Sequence, residues 1–227
     1  MKNIAIIPAR SGSKGLVDKN ILEFNGLPLL AYSVKAALES CLFTTILITS
    51  DSENYISIAK KFGANSSVLR DPNLSTDHSS TIDVIIDALE KEKLRGNSYD
   101  YFTLLQPTSP LRKSNDIVDS YEILNKYNAD FVVSVTNFDK NINTIGTLEN
   151  LSMKSFMLNN LSNARRQDEK LFYINGSIYT GNVDLFLKTK TFYNDKTFAL
   201  IMPKERSIDI DDIFDFKFAE LVIKEDL

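Results

Sequence analysis

Three cations stand close together near the start of this chain. Arg10, Lys14 and Lys19 lie in the run Ala9-Arg10-Ser11-Gly12-Ser13-Lys14-Gly15 and its continuation to Asn20. The apolar residues 2–8 ahead of them read as a short buried strand. A strand that breaks into a loop with glycines, small hydroxyls and cations is suited to polyphosphate. Glycine lets the backbone come close to the oxygens, and the cations offset their charge. An ordinary strand–turn–helix connection with surface lysines is the plainer alternative. Neither G-x-x-x-x-G-K-[ST] nor G-x-G-x-x-G follows the strand, so the loop is not one of the two common nucleotide fingerprints.

Near the other end stands Ser207-Ile208-Asp209-Ile210-Asp211-Asp212. In an extended segment Asp209 and Asp211 point the same way, because side chains alternate with period two. Two carboxylates side by side repel unless a cation sits between them. Mg²⁺ bridged to triphosphate oxygens is the natural candidate, with Mn²⁺ as the alternative. The competing reading makes Asp211 or Asp212 the cap of a final helix, and Asp212 is free to take that role.

Two more clusters follow strand-like runs. In Leu105-Gln106-Pro107-Thr108-Ser109-Pro110-Leu111-Arg112 the prolines fix the backbone, and Gln106, Thr108, Ser109 and Arg112 are expected to point outward. Such a rigid polar loop suits a hydroxyl-rich or carboxylate ligand. The alternative is a rigid turn with a helix cap at Ser114. In Thr49-Ser50-Asp51-Ser52, either Asp51 or Ser52 reads as the N-cap of the next helix. The single histidine, His78, reads as solvated or capping and not as a base.

These loops need elements to hold them. Apolar runs at residues 4–8, 45–49, 67–69, 101–105 and 131–135 read as strands. Helical periodicity fills residues 29–38, 55–62, 82–89 and 117–127 between them. Repeated β-α-β units imply a mainly parallel sheet with helices on both faces and ligands at the carboxyl ends of the strands. The Arg10 loop lies at such an end. Residues 137–170 break the pattern: they are polar and Asn-rich, and too long for an ordinary connection. Their recurring apolar residues argue against disorder and suggest an arm or small lobe packed on a partner subunit. Regular structure returns at residues 176–180, 198–202 and 213–223. The domain reading is therefore an α/β unit of residues 1–136 and 175–227, with residues 137–174 inserted.

Composition narrows the class. At 227 residues, 43% hydrophobic and 25% charged, the chain has the make-up of one globular α/β domain or a domain with a small insert. A net charge of −4 disfavours nonspecific nucleic-acid binding. One cysteine, Cys41, excludes an internal disulfide and a cysteine-based zinc cluster, and it reads as core. No signal peptide and no bilayer-spanning run are evident, so a reducing cytoplasm is expected.

The run from Ile7 through Gly15-Leu16, with Lys19-Asn20, closely resembles the signature of the N-acylneuraminate cytidylyltransferases. These transfer CMP from CTP to a nonulosonic acid sugar. Leu105 to Arg112 resembles the second signature of that family, and Ser207 to Asp211 its metal-binding segment. Asn163-Ala164-Arg165-Arg166-Gln167, leading to Asn175-Gly176-Ser177-Ile178-Tyr179, resembles its R-x-Q…N-G-A-I-Y stretch. The motifs run in the family's order across residues 3–224.

The resemblance implies a Rossmann-like nucleotide-binding fold, a homodimer built through the inserted lobe, and specific roles. Arg10, Ser13, Lys14, Lys19 and Asn20 would contact CTP, and Ser80 or Thr81 would meet its cytidine side. Gln106, Arg165, Tyr179, Phe192 and Tyr193 would line the sugar pocket, with the Arg165 fork suited to the sugar carboxylate. Asp209 and Asp211 would hold Mg²⁺. Arg10 and Lys19 would stabilise charge developing at the α-phosphate, and Asp211 is the candidate base. Some members carry arginine where this chain has Tyr173, proline in the linker where it reads Asp168-Glu169-Lys170, and a lysine in the insert that only Lys140 approaches. These departures leave legionaminate, pseudaminate and ketodeoxyoctonate as alternative sugars. A non-catalytic nucleotide-binding module on the same fold is the other alternative.

Overall fold

Strand β1 (Asn3–Pro8) is buried along nearly its whole length, and its apolar residues divide between two faces. Ile4 and Ile6 enter one core cluster, while Ala5 and Ile7 enter another. A strand with both faces covered reads as a continuous apolar run, as in parallel sheets. The computed structural model describes residues 1–13, 15–76, 79–140, 150, 152 and 170–225.

After β1 come a small hairpin, β2 (Glu23–Phe24) and β3 (Leu27–Pro28), then α1 (Leu29–Glu39), β4 (Thr45–Ser50) and α2 (Glu53–Lys61). β5 (Ser66–Leu69), α3 (Thr81–Leu94), β6 (Tyr101–Leu105), α4 (Ser114–Tyr127) and β7 (Phe131–Phe138) follow. β8 (Leu171–Asn182), α5 (Val183–Thr189), β9 (Thr197–Ile201) and α6 (Ile213–Lys224) complete the described elements. The main sheet has the order β5-β4-β1-β6-β8-β7-β9. β1, β4, β5 and β6 pair in parallel, as do β7 and β9, and β8 runs antiparallel to both its neighbours. The α/β sheet is therefore mainly parallel, as its strand–helix alternation implies.

One face packs against α1, α2 and α4 through Leu30, Val34, Ile56, Ile117 and Leu124. The other packs against α3 and α5 through Ile85, Leu89 and Phe186. A third cluster, with Phe24, Leu29, Leu111, Ile210 and Phe216, seats α6 beside the hairpin.

Several local expectations need correction. Cys41 is exposed at the end of α1 with φ 55, a left-handed turn position and not a core site. Ser114 begins α4 but does not cap it: Lys113 holds the cap position, and its amide donates to Asp116 Oδ2 at 2.8 Å. β7 and β8 run on past the expected insert boundaries, pairing Asn137 with Phe172 and Thr136 with Tyr173. The ladder thus continues into what reads as polar linker, since backbone pairing needs no apolar side chain. Of the proposed arm, only residues 137–140, 150, 152 and 170–174 are described.

Candidate functional site

The cation-bearing loop is fixed at both ends. Beyond β1, the Ala9 amide donates to Thr49 O at 3.0 Å. Gly12 takes φ 67, which glycine adopts without strain. The loop ends in a short 3-10 turn, Lys19–Ile21, that buries Lys19 and Asn20. Asn20 Nδ2 donates to Arg10 O at 3.0 Å, so the end of the loop holds its beginning. Asn20 Oδ1 is buried without a hydrogen-bond partner among the described residues. An orphaned buried acceptor beside a cleft calls for a donor from a ligand.

Lys19 reaches across to the acidic segment. Its Nζ donates to Ile210 O and lies 3.2 Å from Asp211 Oδ1. Gly15 lies against the same segment: a β-carbon there would stand 2.5 Å from the Asp211 backbone oxygen. Only glycine admits that approach. The Ile210 amide donates to Thr108 O at 2.8 Å, and its side chain is fully buried. With Ile210 turned inward, the alternation of an extended chain carries Asp209 and Asp211 to the opposite side. Asp212 caps α6, accepting from Phe214 N at 2.8 Å and Asp215 N at 3.1 Å. Helix cap and acidic pair therefore coexist.

The two acids differ. The Asp211 side chain is 80% exposed. Asp209 is also exposed, but less of its carboxyl's surroundings are water: the protein packed around it desolvates the group and pushes it up, with the Asp211 charge adding to the effect. A hydrogen bond with the Thr108 side chain and the Lys19 charge pull it back only in part. Among the described residues no cluster of three or more His, Cys, Asp or Glu could hold a metal, so the chain offers two carboxylates here. Hard oxygen donors without sulfur or nitrogen fit Mg²⁺ or Mn²⁺, with further ligands supplied by phosphate or water.

Two clefts open on either side of this pair. The first, about 470 Å³, is lined by Arg10, Ser13, Lys19, Asn20, Thr81, Gln106 and Asp211 among others. The second, about 920 Å³, is lined by Gln106, Asn175, Gly176, Tyr179 and Asp209 among others. Gln106 belongs to both. Gly176, at φ 73, sits where β8 bulges away from β7; a β-carbon there would be 3.2 Å from Gln106 Oε1 and 3.8 Å from Asp209 Oδ2. Asn175 pins that bulge, with its Nδ2 donating to Ser207 Oγ at 2.8 Å.

The remaining expected residues fall elsewhere. Ser80 caps α3, accepting from Ile82 N at 3.1 Å, while its neighbour Thr81 lines the first cleft. Phe192 is buried beneath Tyr179, with ring centroids 4.8 Å apart, and lines neither cleft among the described residues. Tyr193 is about half exposed and also lines neither of them. Burial pushes the Tyr179 hydroxyl up to about 12. Lys14, His78 and Arg165 lie outside the described residues.

Arg112 and Ser109 do not point outward: both are buried. Arg112 donates to Gln106 O at 3.3 Å, to Ser177 O at 3.0 Å and to Ser33 Oγ, so it braces the shared wall of the clefts from behind. Burial lowers its guanidinium to about 10, with Asp116 opposing the shift. A turn that leaves a strand can fold its long side chain back under the sheet, and residue type alone does not reveal this.

Arg70 was not anticipated. It is buried, lines the first cleft and donates to Thr49 O at 2.8 Å. Its position directly after β5, at the carboxyl end of a parallel strand, was the available signal.

Residues 4–221 match the family described as cytidylyltransferase. This chain belongs to that family. It is 43% identical over 221 residues to an N-acylneuraminate cytidylyltransferase of Escherichia coli O18:K1:H7, covering 96% of this chain and 51% of that protein. The chain thus spans about half the length of that relative. A pseudaminic acid cytidylyltransferase of Campylobacter jejuni is 32% identical over 225 residues, covering 99% of this chain and 97% of that protein. The solved structure of a CMP:2-keto-3-deoxy-manno-octonic acid synthetase complexed with CTP superposes with a TM-score of 0.72 over the whole of both chains. At 15% identity that likeness speaks for the fold alone.

Proposed function

We propose that this cytidylyltransferase transfers CMP from CTP to a nonulosonic acid of the sialic type and releases pyrophosphate. The observation that carries this reading is the meeting of two clefts at Gln106, with Lys19, Asp209 and Asp211 at the junction. A donor nucleotide and an acceptor sugar need two sites whose reacting ends meet. The first cleft, with Arg10, Lys19 and Arg70, suits a triphosphate. The second has Gln106, Asn175 and Tyr179 to hold a polyhydroxylated acid.

In this reading the anomeric hydroxyl attacks the α-phosphorus of CTP, and the bond to the leaving pyrophosphate breaks. Such a transfer depends on positioning and charge stabilisation more than on covalent chemistry by the protein. Arg10 and Lys19 offset the charge that grows on the α-phosphate and leaving group. Lys19 is preset for this by its hold on Ile210 O and Asp211. The orphaned Asn20 carbonyl accepts a donor from the nucleotide. Gln106 aligns the sugar at the junction, and Asp211, the more exposed acid, takes the proton of the attacking hydroxyl. Mg²⁺ held by Asp209 and Asp211 would supply Lewis acidity at the α-phosphate.

Phe172, Tyr173 and Ile174 are 41%, 46% and 47% exposed at the start of β8, and Tyr173 and Ile174 line the second cleft. This apolar rim supports a homodimer in which the 137–174 arm of a second copy helps to cover the sugar. No described helix is long and apolar enough to cross a membrane. The cytoplasm is the setting assigned here, since CTP is an intracellular substrate.

The near-complete mutual coverage with the Campylobacter protein favours pseudaminate as the second candidate sugar. Pyrophosphate release, measured with CTP and a panel of N-acetylneuraminate, pseudaminate, legionaminate and ketodeoxyoctonate, tests both readings. Release only with pseudaminate moves the assignment to that sugar. No release with any of them overturns catalysis.

A further inference from the structure

Of the two cap candidates ahead of α2, Ser52 takes the role, accepting from Tyr55 N at 3.4 Å, and Asp51 is left for another. Both Asp51 oxygens face the other way. Oδ1 accepts from the Ser11 amide at 2.8 Å, and Oδ2 accepts from the Ser11 hydroxyl at 2.7 Å. A carboxylate is thus placed where the loop it grips is meant to meet phosphate. On charge alone this is adverse, because like charges repel.

The geometry gives it a purpose. Ser11 stands beside Arg10 and Gly12, at the point where the loop leaves the sheet. A two-point grip on one residue fixes both its position and its orientation. The far end of the loop is tied to the same connection, since the Tyr55 hydroxyl donates to Asp18 Oδ1 at 2.9 Å. Asp18 holds the left-handed turn, φ 50, that leads into Lys19 and Asn20. The anchor itself is braced: Ser52 N donates to Ser50 Oγ at 3.1 Å, and Arg70 holds Thr49 O. Burial raises the Asp51 carboxyl, but the Ser11 hydroxyl, two backbone amides and the Arg70 charge outweigh it and leave it below the ordinary carboxylate range. The acid stays ionised at neutral pH and keeps its grip.

We propose that Asp51 is a positioning residue for nucleotide binding, clamping Ser11 so that the loop between Arg10 and Lys19 is set before the triphosphate arrives. This rests on the reading of the first cleft as the CTP site. It assigns binding strength to a carboxylate that touches no substrate.

The test turns on a sign. If Asp51 were only a negative charge near the site, Asp51→Ala would bind CTP more tightly. If it is a clamp, Asp51→Ala binds CTP more weakly, by roughly tenfold for a loop no longer preset. Asp51→Asn separates shape from charge, because its amide can still accept from the Ser11 amide and donate to the Ser11 hydroxyl oxygen. We expect CTP affinity near wild type for Asp51→Asn, a roughly tenfold loss for Asp51→Ala and a loss of a few-fold for Ser11→Ala. The readouts are titration calorimetry of CTP without sugar, and KM for CTP against kcat. The KM should rise more than kcat falls, with melting temperatures little changed.

Tighter or unchanged binding by Asp51→Ala overturns the proposal. So does an Asp51→Asn variant as weak as Asp51→Ala, because the two-point shape that asparagine keeps would then not be what sets CTP affinity. Should Asp51→Ala fail to fold, unchanged affinity in Ser11→Ala overturns it alone. A wild-type protein that binds no CTP at all defeats the nucleotide-site reading instead, and that result is distinct from each of these.

Discussion

Glu92 is buried and Asp209 keeps contact with solvent, yet it is the buried acid that titrates low and the exposed one that titrates high. Glu92, a residue of α3, is 1% exposed and faces the start of β5 and the turn ahead of β6. Burial pushes its carboxyl up, but four groups hold it as the anion and bring it below the ordinary range. They are Tyr99 Oη at 2.7 Å, Ser66 Oγ at 2.8 Å, Arg95 Nη1 at 2.8 Å and Asn97 Nδ2 at 2.8 Å. Asp209, at the carboxyl ends of the strands, has the Thr108 side chain and the distant help of Lys19, and its neighbour Asp211 repels it. It therefore sits above the ordinary range.

The two environments separate an acid satisfied by the fold from the one we propose for the metal. Glu92 has spent its acceptor capacity on protein donors and ties α3 to the start of β5 and to the turn that leads into β6. Asp209 has acceptor capacity to spare beside a second carboxylate, and a cation bound there, as proposed, would stabilise it. Donor count, more than burial, decides which kind of acid a fold has made.

The largest effect that sharpens this contrast belongs to the acidic pair. Asp211→Asn and Asp209→Asn should each lower CMP transfer by about 10²–10³-fold, with Asp211 the more damaging, and leave the melting temperature nearly unchanged. Initial rates against Mg²⁺ concentration measure it; wild-type rates in both variants would remove the pair from the site. Arg10→Ala should lose activity on the same scale without loss of stability. Lys19→Ala should lose both, because Lys19 is buried and its removal leaves Ile210 O without that donor.

Glu92→Gln supplies the opposite arm. It should leave the rate alone and destabilise the fold by about 2 kcal/mol at neutral pH, since charged hydrogen bonds are lost and one donor is orphaned. The sign with pH follows from the depressed carboxyl. Its contribution is fully present above the unfolded value near ~4.3 and is lost as pH falls through the lower folded value. Denaturant curves for wild type and variant should therefore converge as pH drops below about 4. A stability gap that stays constant with pH would break the contrast.

The smallest effect is Asp212→Asn. Asparagine caps a helix as well as aspartate, so stability should shift by less than about 0.5 kcal/mol and activity should persist. Loss of activity here, with Asp209→Asn and Asp211→Asn silent, would make the acidic segment a cap and nothing more.

The sequence carried some of this and hid the rest for physical reasons. Parallel strands buried on both faces leave continuous apolar runs, so β1, β4 and β6 were legible along with their loops. The Asp209–Asp211 pair was legible because an extended chain alternates strictly. The direction of β8 was not, since side-chain pattern does not encode whether a strand runs up or down. Helix α5 spans only two turns after a strand, too short for periodicity to declare itself. The inward turn of Arg112 and the burial of Phe192 depend on what packs around them, and so does the grip of Asp51 on Ser11. Pairings 40 residues apart in the chain leave no local mark.

The most direct test of the account is pyrophosphate release from CTP with Mg²⁺, measured with and without nonulosonic acid, for wild type, Asp211→Asn and Glu92→Gln. The account predicts sugar-dependent release by wild type and Glu92→Gln and its near-total loss in Asp211→Asn. Equal release by all three proteins, or release that ignores the sugar, would contradict it.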